Sequence, residues 1–163
     1  MIGNVSIARV ETPDDDVRAL IDELDRALTE GYEPEQHHGL ALEAIFATGV
    51  RFFVASLDGA PVGCGGVALL DGYAEVKRMY VRERVRGRGV ARAVLARLEA
   101  EARSCGARIL RLETGDRQHA AIRLYERAGF ARCPAFGPYA AMPPRAIATS
   151  IFYEKRLDVA DGP

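Results

Sequence analysis

The stretch that most constrains the fold runs through the middle of the chain. Residues 74–81, AEVKRMYV, carry the β-branched and aromatic content of a strand. The polar, glycine-bearing string RERVRGRG follows at once. After it, Val90, Val94, Leu95, Leu98 and Ala102 recur at helical spacing, Gly106 stops the helix, and RILRLET reads as another strand. Two strands joined through one helix pair in parallel, with a right-handed crossover. That unit excludes a helix bundle and a purely antiparallel sandwich.

The flanking segments extend the sheet on both sides. VSIARV is a first strand. Thr12 then reads as an N-cap, with Pro13 at the first helical position and acids in the first turn, and Val17, Leu20, Ile21, Leu24 and Leu28 form the stripe of a helix ended by Gly31. A second helix is expected from Pro34 to near Gly49, with His38, Ala41, Leu42 and Ile45 on one face. RFFVASL and PVGCGGVALL are two strands joined by the Asp58-Gly59 hairpin signal. Gly63, Gly65 and Gly66 in the return strand suggest a bulge or a close neighbour. Asp71-Gly72 turns the chain into AEVKRMYV. Beyond RILRLET, residues 118–128 form a short helix ended by Gly129, Phe130 begins a strand, CPAFGPYAAMPPR is loop-like, and SIFYEKRL closes as a strand. The expected class is a mixed α/β (α+β) fold in one domain over residues 1–163.

Charge is where composition informs. The chain of 163 residues has a net charge of -1, from 22 basic and 23 acidic residues. Residues 1–50 hold 3 basic and 11 acidic side chains, whereas residues 75–92 hold 7 basic and 2 acidic ones. So compact a basic stretch, on an otherwise acidic chain, fits a small anion better than a nucleic-acid track or an anionic membrane. Cys64, Cys105 and Cys133 are widely spaced, and His37, His38 and His119 form no metal-ligand pattern, so neither a disulfide framework nor a metal site is indicated. The cysteine usage, the missing signal-peptide pattern and the lack of a spanning apolar run point to a cytoplasmic location.

The loop Arg84-Val85-Arg86-Gly87-Arg88-Gly89 stands between strand and helix. Its glycines let backbone N–H groups approach a ligand, the helix start adds partial positive charge, and the arginines add charge-assisted bonds. A phosphate or pyrophosphate site follows. The string is not a P-loop, and the position that would complete a dinucleotide fingerprint is Arg92.

RVRGRG resembles the R/Q-x-x-G-x-G/A loop of the GNAT superfamily of N-acetyltransferases. EVKRMYV before it resembles that family's strand beside the pantetheine arm, and QHAAIRLYERAGF its N-x-x-A-I-x-L-Y-E-x-x-G-F segment. The resemblance spans roughly residues 52–130 and is nearest to small single-domain bacterial members. It implies a mostly antiparallel mixed sheet flanked by helices, with the fourth strand, the glycine loop, the third helix and the fifth strand forming the acetyl-coenzyme A unit.

The resemblance also implies an activity: an N-acetyltransferase that moves acetyl from acetyl-coenzyme A to the primary amine of a small molecule, with no metal. A protein or peptide acceptor, or a non-catalytic acyl-coenzyme A sensor, is the alternative. Met79, Tyr80 and Val81 would pair with pantetheine. Arg84, Arg86, Gly87, Arg88, Gly89, Val90 and Ala91 would hold the pyrophosphate. Gln118, which replaces the family's usual asparagine, would keep an amide near the coenzyme. Tyr125 would be the general acid, since a phenol with a pKa near ~10 stays protonated at neutral pH. Glu75 is the candidate base, with Glu113 the second. Strand alternation puts Glu75, Lys77 and Met79 on one face and Val76, Arg78 and Tyr80 on the other. His37 and His38 would border the acceptor, and Arg78 would either pair an acceptor carboxylate or pack against a neighbouring helix. A homodimer is compatible with the resemblance.

Overall fold

A computed structural model of the chain describes residues 3–158. Seven strands form one sheet in the order β1-β2-β3-β4-β5-β7-β6. They are β1 (Val5–Val10), β2 (Val50–Leu57), β3 (Ala60–Leu69), β4 (Ala74–Val81), β5 (Ile109–Gly115), β6 (Ala131–Arg132) and β7 (Ser150–Arg156). The helices are α1 (Asp15–Gly31), α2 (Leu42–Ile45), α3 (Val90–Ser104), α4 (His119–Arg127) and α5 (Pro144–Ile147). Every pairing is antiparallel except β4 with β5, the parallel pair that the helix between them implies. The expected class, a mixed and mostly antiparallel sheet flanked by helices, is the one observed.

Helices cover both faces. Val90, Val94, Leu95, Leu98 and Ala102 of α3 bury against Phe53, Val67, Val76 and Val81 on one face. Val17, Leu20 and Ile21 of α1 join Ile45, Phe52 and Cys64 on the other. A smaller cluster of Phe136, Tyr139 and Phe152 lies under the segment before β7. The glycines of β3 set how closely α3 can approach: a Cβ on Gly65 would come 2.9 Å from Val94 Cγ1 and 3.1 Å from Leu98 Cδ1. Asp58 and Gly59 both have positive φ, 50° and 86°, as the predicted two-residue hairpin turn requires.

Three expectations need correction. The N-cap of α1 is Asp14, not Thr12: its side chain accepts from Val17 N at 2.9 Å, which places Pro13 outside the helix. The second helix does not run from Pro34 to Gly49. A 3₁₀ turn at Pro34–Gln36 and the four-residue α2 are separated by irregular chain. Gly39 lies in that gap because the Arg78 guanidinium presses on it, and a Cβ there would sit 2.6 Å from Arg78 Cζ.

The third correction concerns β4. Cys64 of β3 pairs with Tyr80 and Gly66 with Lys77, so Gly65 alone faces two residues, Arg78 and Met79. This is a β-bulge, and Arg78 takes its left-handed backbone conformation, φ 55°. The extra residue breaks strict alternation. Met79 packs in the α3-side core with Val76 and Val81, while Tyr80 packs in the α1-side core. Met79 therefore does not share a face with Glu75 and Lys77, and Arg78 turns toward the α1 side.

Candidate active site

Pairing between β4 and β5 stops early. Only Ala74 with Leu110 and Glu75 with Arg111 are in register, and beyond them the strands part. The β4 edge past Val76 therefore has backbone donors and acceptors with no strand to meet on that side, an opening into which an extended ligand can add. A cleft of about 140 Å³ runs into the gap, touching Met79, Ala121 and Tyr125 as well as His38, Glu75, Glu113 and Tyr139.

The glycine loop lies at the far end of the open edge. Val85 and Val90 are buried and pin it to the core, while Arg84, Arg86, Gly87, Arg88 and Gly89 are exposed. Gly87 and Gly89 both have φ 81°, a conformation that disfavours any residue with a Cβ. The first bond into α3 is Ala93 N to Gly89 O, so the N–H groups of Gly89 to Arg92, with Val90 and Ala91 between them, have no helical acceptor. Arg86 ties the loop to its strand by donating from Nε to Val81 O at 3.1 Å. Arg82 is held by Glu23 and Pro61 O. These features fit a coenzyme's pyrophosphate at the helix start and its extended arm along the strand edge.

On the α3 side, Tyr125 is buried and its hydroxyl points to Met79 Sδ at 4.0 Å, a weak acceptor. Burial, reinforced by the Glu113 charge, pushes the phenol above its ordinary range, so it is a proton donor at neutral pH. Gln118 is the N-cap residue of α4, makes no side-chain capping bond, and lines the cleft.

On the opposite side, Glu75 is 3% exposed. Its Oε2 accepts from Tyr139 Oη at 2.7 Å and pairs with Lys77 Nζ at 2.9 Å, and Lys77 also donates to Tyr139 Oη at 2.8 Å. These three groups close a triangle. Tyr139 lies in a 3₁₀ turn, Gly137–Ala141, within the segment expected to be loop, and its edge contact with the His38 ring (5.5 Å) completes one wall. No sequence signal picked out this tyrosine, since its partners lie more than 60 residues away.

Glu113 shares this side and accepts from Ser150 Oγ at 2.6 Å. Burial raises its pKa, against the lowering influence of Ser150, His38 and Lys77. His38 Nε2 lies 2.8 Å from Ala146 O, which makes that nitrogen the donor and leaves Nδ1 for the cleft. His37 lines the cleft too, but its Nε2 lies 3.2 Å from Leu28 O and 3.1 Å from Tyr32 O, so it caps the end of α1. Arg78 is not free to meet an acceptor carboxylate. Its Nε donates to Leu40 O at 2.8 Å and its Nη1 to Asp25 Oδ1 at 2.7 Å.

Residues 17–130 match the Acetyltransferase (GNAT) family. The IAA acetyltransferase of Azospirillum brasilense is 44% identical over 156 residues, covering 94% of this chain and 99% of the relative. Among solved structures, a chain from Klebsiella pneumoniae whose name places it with the acyl-CoA N-acyltransferases is 37% identical. It has a TM-score of 0.75, with 94% of this chain and 98% of that one covered. The fold is also shared with yncA of Salmonella typhimurium, solved with its cofactor acetyl-CoA, at 20% identity and a TM-score of 0.68 over 98% and 97% of the two chains.

Proposed function

Since the chain belongs to the Acetyltransferase (GNAT) family and is an acetyl-coenzyme A-dependent acetyltransferase, we propose that it acetylates the primary amine of a small molecule by direct transfer in a ternary complex. The observation that carries this reading is the cleft between the parted strands. Met79 and Tyr125 border it on one side, and His38, Glu75 and Tyr139 wall the other. Donor and acceptor meet there without exchanging places, and about 140 Å³ suits a compact acceptor better than a peptide. The name of the Azospirillum relative points the same way. We further assign this activity to one domain over residues 1–163.

The residues divide the work by position. The β4 edge at Met79, Tyr80 and Val81 aligns the thioester and offers an N–H to its carbonyl oxygen. Gly87, Gly89, Val90 and Ala91 present backbone donors to the pyrophosphate, with Arg84, Arg86 and Arg88 around it, while Gln118 borders the thioester arm. Tyr125 gives its proton to the departing thiolate. A carboxylate on the Tyr139 side receives the proton of the acceptor ammonium.

A panel of small amines, alongside an N-terminal peptide, tests this by free thiol appearing with wild-type protein. Thiol release with at least one small amine, and intersecting double-reciprocal lines, are expected. Peptide turnover above that of every small amine, or parallel lines, overturns the reading.

A further inference from the structure

We propose that Glu113, rather than Glu75, seats and deprotonates the acceptor's ammonium group, and that the acceptor is accordingly a cationic primary amine with no acid group beside the nitrogen. The proposal rests on the small-acceptor reading above and names its substrate class.

The two carboxylates differ in what already holds them. Glu75 Oε2 takes both Tyr139 Oη and Lys77 Nζ, at 2.7 and 2.9 Å, and the carboxylate is almost wholly enclosed. It joins β4 to the Gly137–Ala141 turn. Among the described residues, Glu113 accepts one side-chain hydrogen bond, from Ser150, and has no ion-pair partner within salt-bridge distance. A carboxylate has room for about four hydrogen bonds; Glu113 has one taken and its charge unpaired, whereas Glu75 has two taken and its charge already met by Lys77.

The groups facing Glu113 come from every neighbouring element: Ser150 of β7, Glu75 and Lys77 of β4, His38, Tyr139, and Tyr125 of α4. Two cations line the cleft among the described residues, and both are engaged. Lys77 pairs with Glu75, and Arg78 pairs with Asp25. His38 Nε2 is taken by Ala146 O, and among the described residues His38 makes no ion pair with Glu113. The negative charge without a counter-ion thus lies on Glu113. An ammonium supplies the missing charge. A carboxylate on the same ligand would find both Lys77 and Arg78 already paired and would face two acids.

The proton count closes. The ammonium N–H bond breaks as an O–H bond forms on Glu113, and the freed nitrogen attacks the thioester carbon. The C–N bond forms and the C–S bond breaks. Tyr125 protonates the sulfur and recovers its proton from the nitrogen, which has now lost two. Glu113 returns its proton to water when the amide leaves, so one proton is released per turnover. The raised pKa of Glu113 brings its basicity closer to the operating range.

The test uses tyramine and tyrosine, a matched pair that differs by the α-carboxylate, with wild type, Glu113→Gln, Glu75→Gln and Ser150→Ala. Tyramine is expected to exceed tyrosine in kcat/KM by about tenfold or more, the scale of one charged hydrogen bond. Glu113→Gln is expected to raise the tyramine KM by about tenfold, leave the acetyl-coenzyme A KM unchanged, and remove the acid limb of the pH profile. Glu75→Gln keeps that limb. Ser150→Ala, which removes a hydrogen bond favouring the charged form, moves the limb to higher pH and tests the assignment even if Glu113→Gln fails to fold. Tyrosine equal to or better than tyramine, or an acid limb retained in Glu113→Gln and unmoved in Ser150→Ala, overturns the proposal alone. No thiol release from either probe or any other small amine, with acetyl-coenzyme A still raising Tm, overturns the small-acceptor reading and this assignment with it.

Discussion

Replacing Tyr139 with phenylalanine isolates one oxygen at the junction between β4 and the segment before β7. The ring keeps its packing, because its contacts with Phe136, Phe152 and His38 (centroids at 5.3, 5.2 and 5.5 Å) do not involve the hydroxyl. Two bonds disappear: the 2.7 Å donation to Glu75 and the 2.8 Å acceptance from Lys77. The Lys77–Glu75 pair remains. The Glu75 side chain is only 4% exposed, so water has little room to substitute. Hydrogen bonds to charged groups are each worth about 1.5–3 kcal/mol. With one partner retained on each side, a loss of about 2 kcal/mol is expected. For a chain of this size that corresponds to about 4–8 °C in Tm. Thermal and urea unfolding followed by circular dichroism would measure it. A cycle with Glu75→Gln should show coupling of about 1 kcal/mol between the two sites. A Tm within about 1 °C of wild type, or additive effects in the cycle, would refute the claim that the hydroxyl ties these elements together.

Three further outcomes are expected. Tyr125→Phe should lower kcat about a hundredfold, as loss of a general acid does, with the coenzyme KM barely changed; steady-state kinetics under saturating acceptor would show it. Gly87→Ala should lose about 1–2 kcal/mol of stability from the φ of 81° alone, since nothing lies within 4 Å of the new Cβ. It should also weaken coenzyme binding, whereas Gly72→Ala, with φ 84° and equally open surroundings, should lose stability without that effect. The third concerns pH. The raised pKa of Glu113 means that the folded state holds the proton more tightly than the unfolded state. Its contribution to stability is present below the unfolded pKa and is lost as pH rises through the folded one. Glu113→Gln should therefore raise Tm relative to wild type at pH 8 and not at pH 4, a comparison for scanning calorimetry.

The glycine loop and the elements on either side of it were legible because they are local. RVRGRG, the helix stripe after it and the strand before it are contiguous, and the parallel pairing follows from their order. Gly65 signalled a bulge, but the extra residue lies opposite it, in β4. EVKRMYV reads as unbroken alternation, and only the register with β3 reveals that Arg78 is the residue out of step. The misread second helix has the same origin. Residues 34–49 carry helical spacing, yet the Arg78 guanidinium on Gly39 and its bond to Leu40 O hold that chain open. Tyr139 sits among prolines in GPYAAMPP, and its importance comes from Glu75 and Lys77, which long-range packing alone brings to it. His37 could have been placed from local geometry, since a ring nine residues beyond Leu28 can reach back to the free carbonyls ending α1.

The parting of β4 from β5 has a consequence for how a chain of this kind can diversify. On one side of the gap, the proposed coenzyme contacts are largely main-chain groups, whose positions survive most substitutions outside the glycines. On the other, the cleft is walled or braced by side chains from five separate segments: β4, β5, β7, the stretch around His38 and the turn at Tyr139. A change at Ser150, His38 or Tyr139 can therefore redirect the choice of amine without altering how the thioester is presented. On the proposed assignment, the place where the sheet comes apart lets the acceptor side change while the donor side stays as it is.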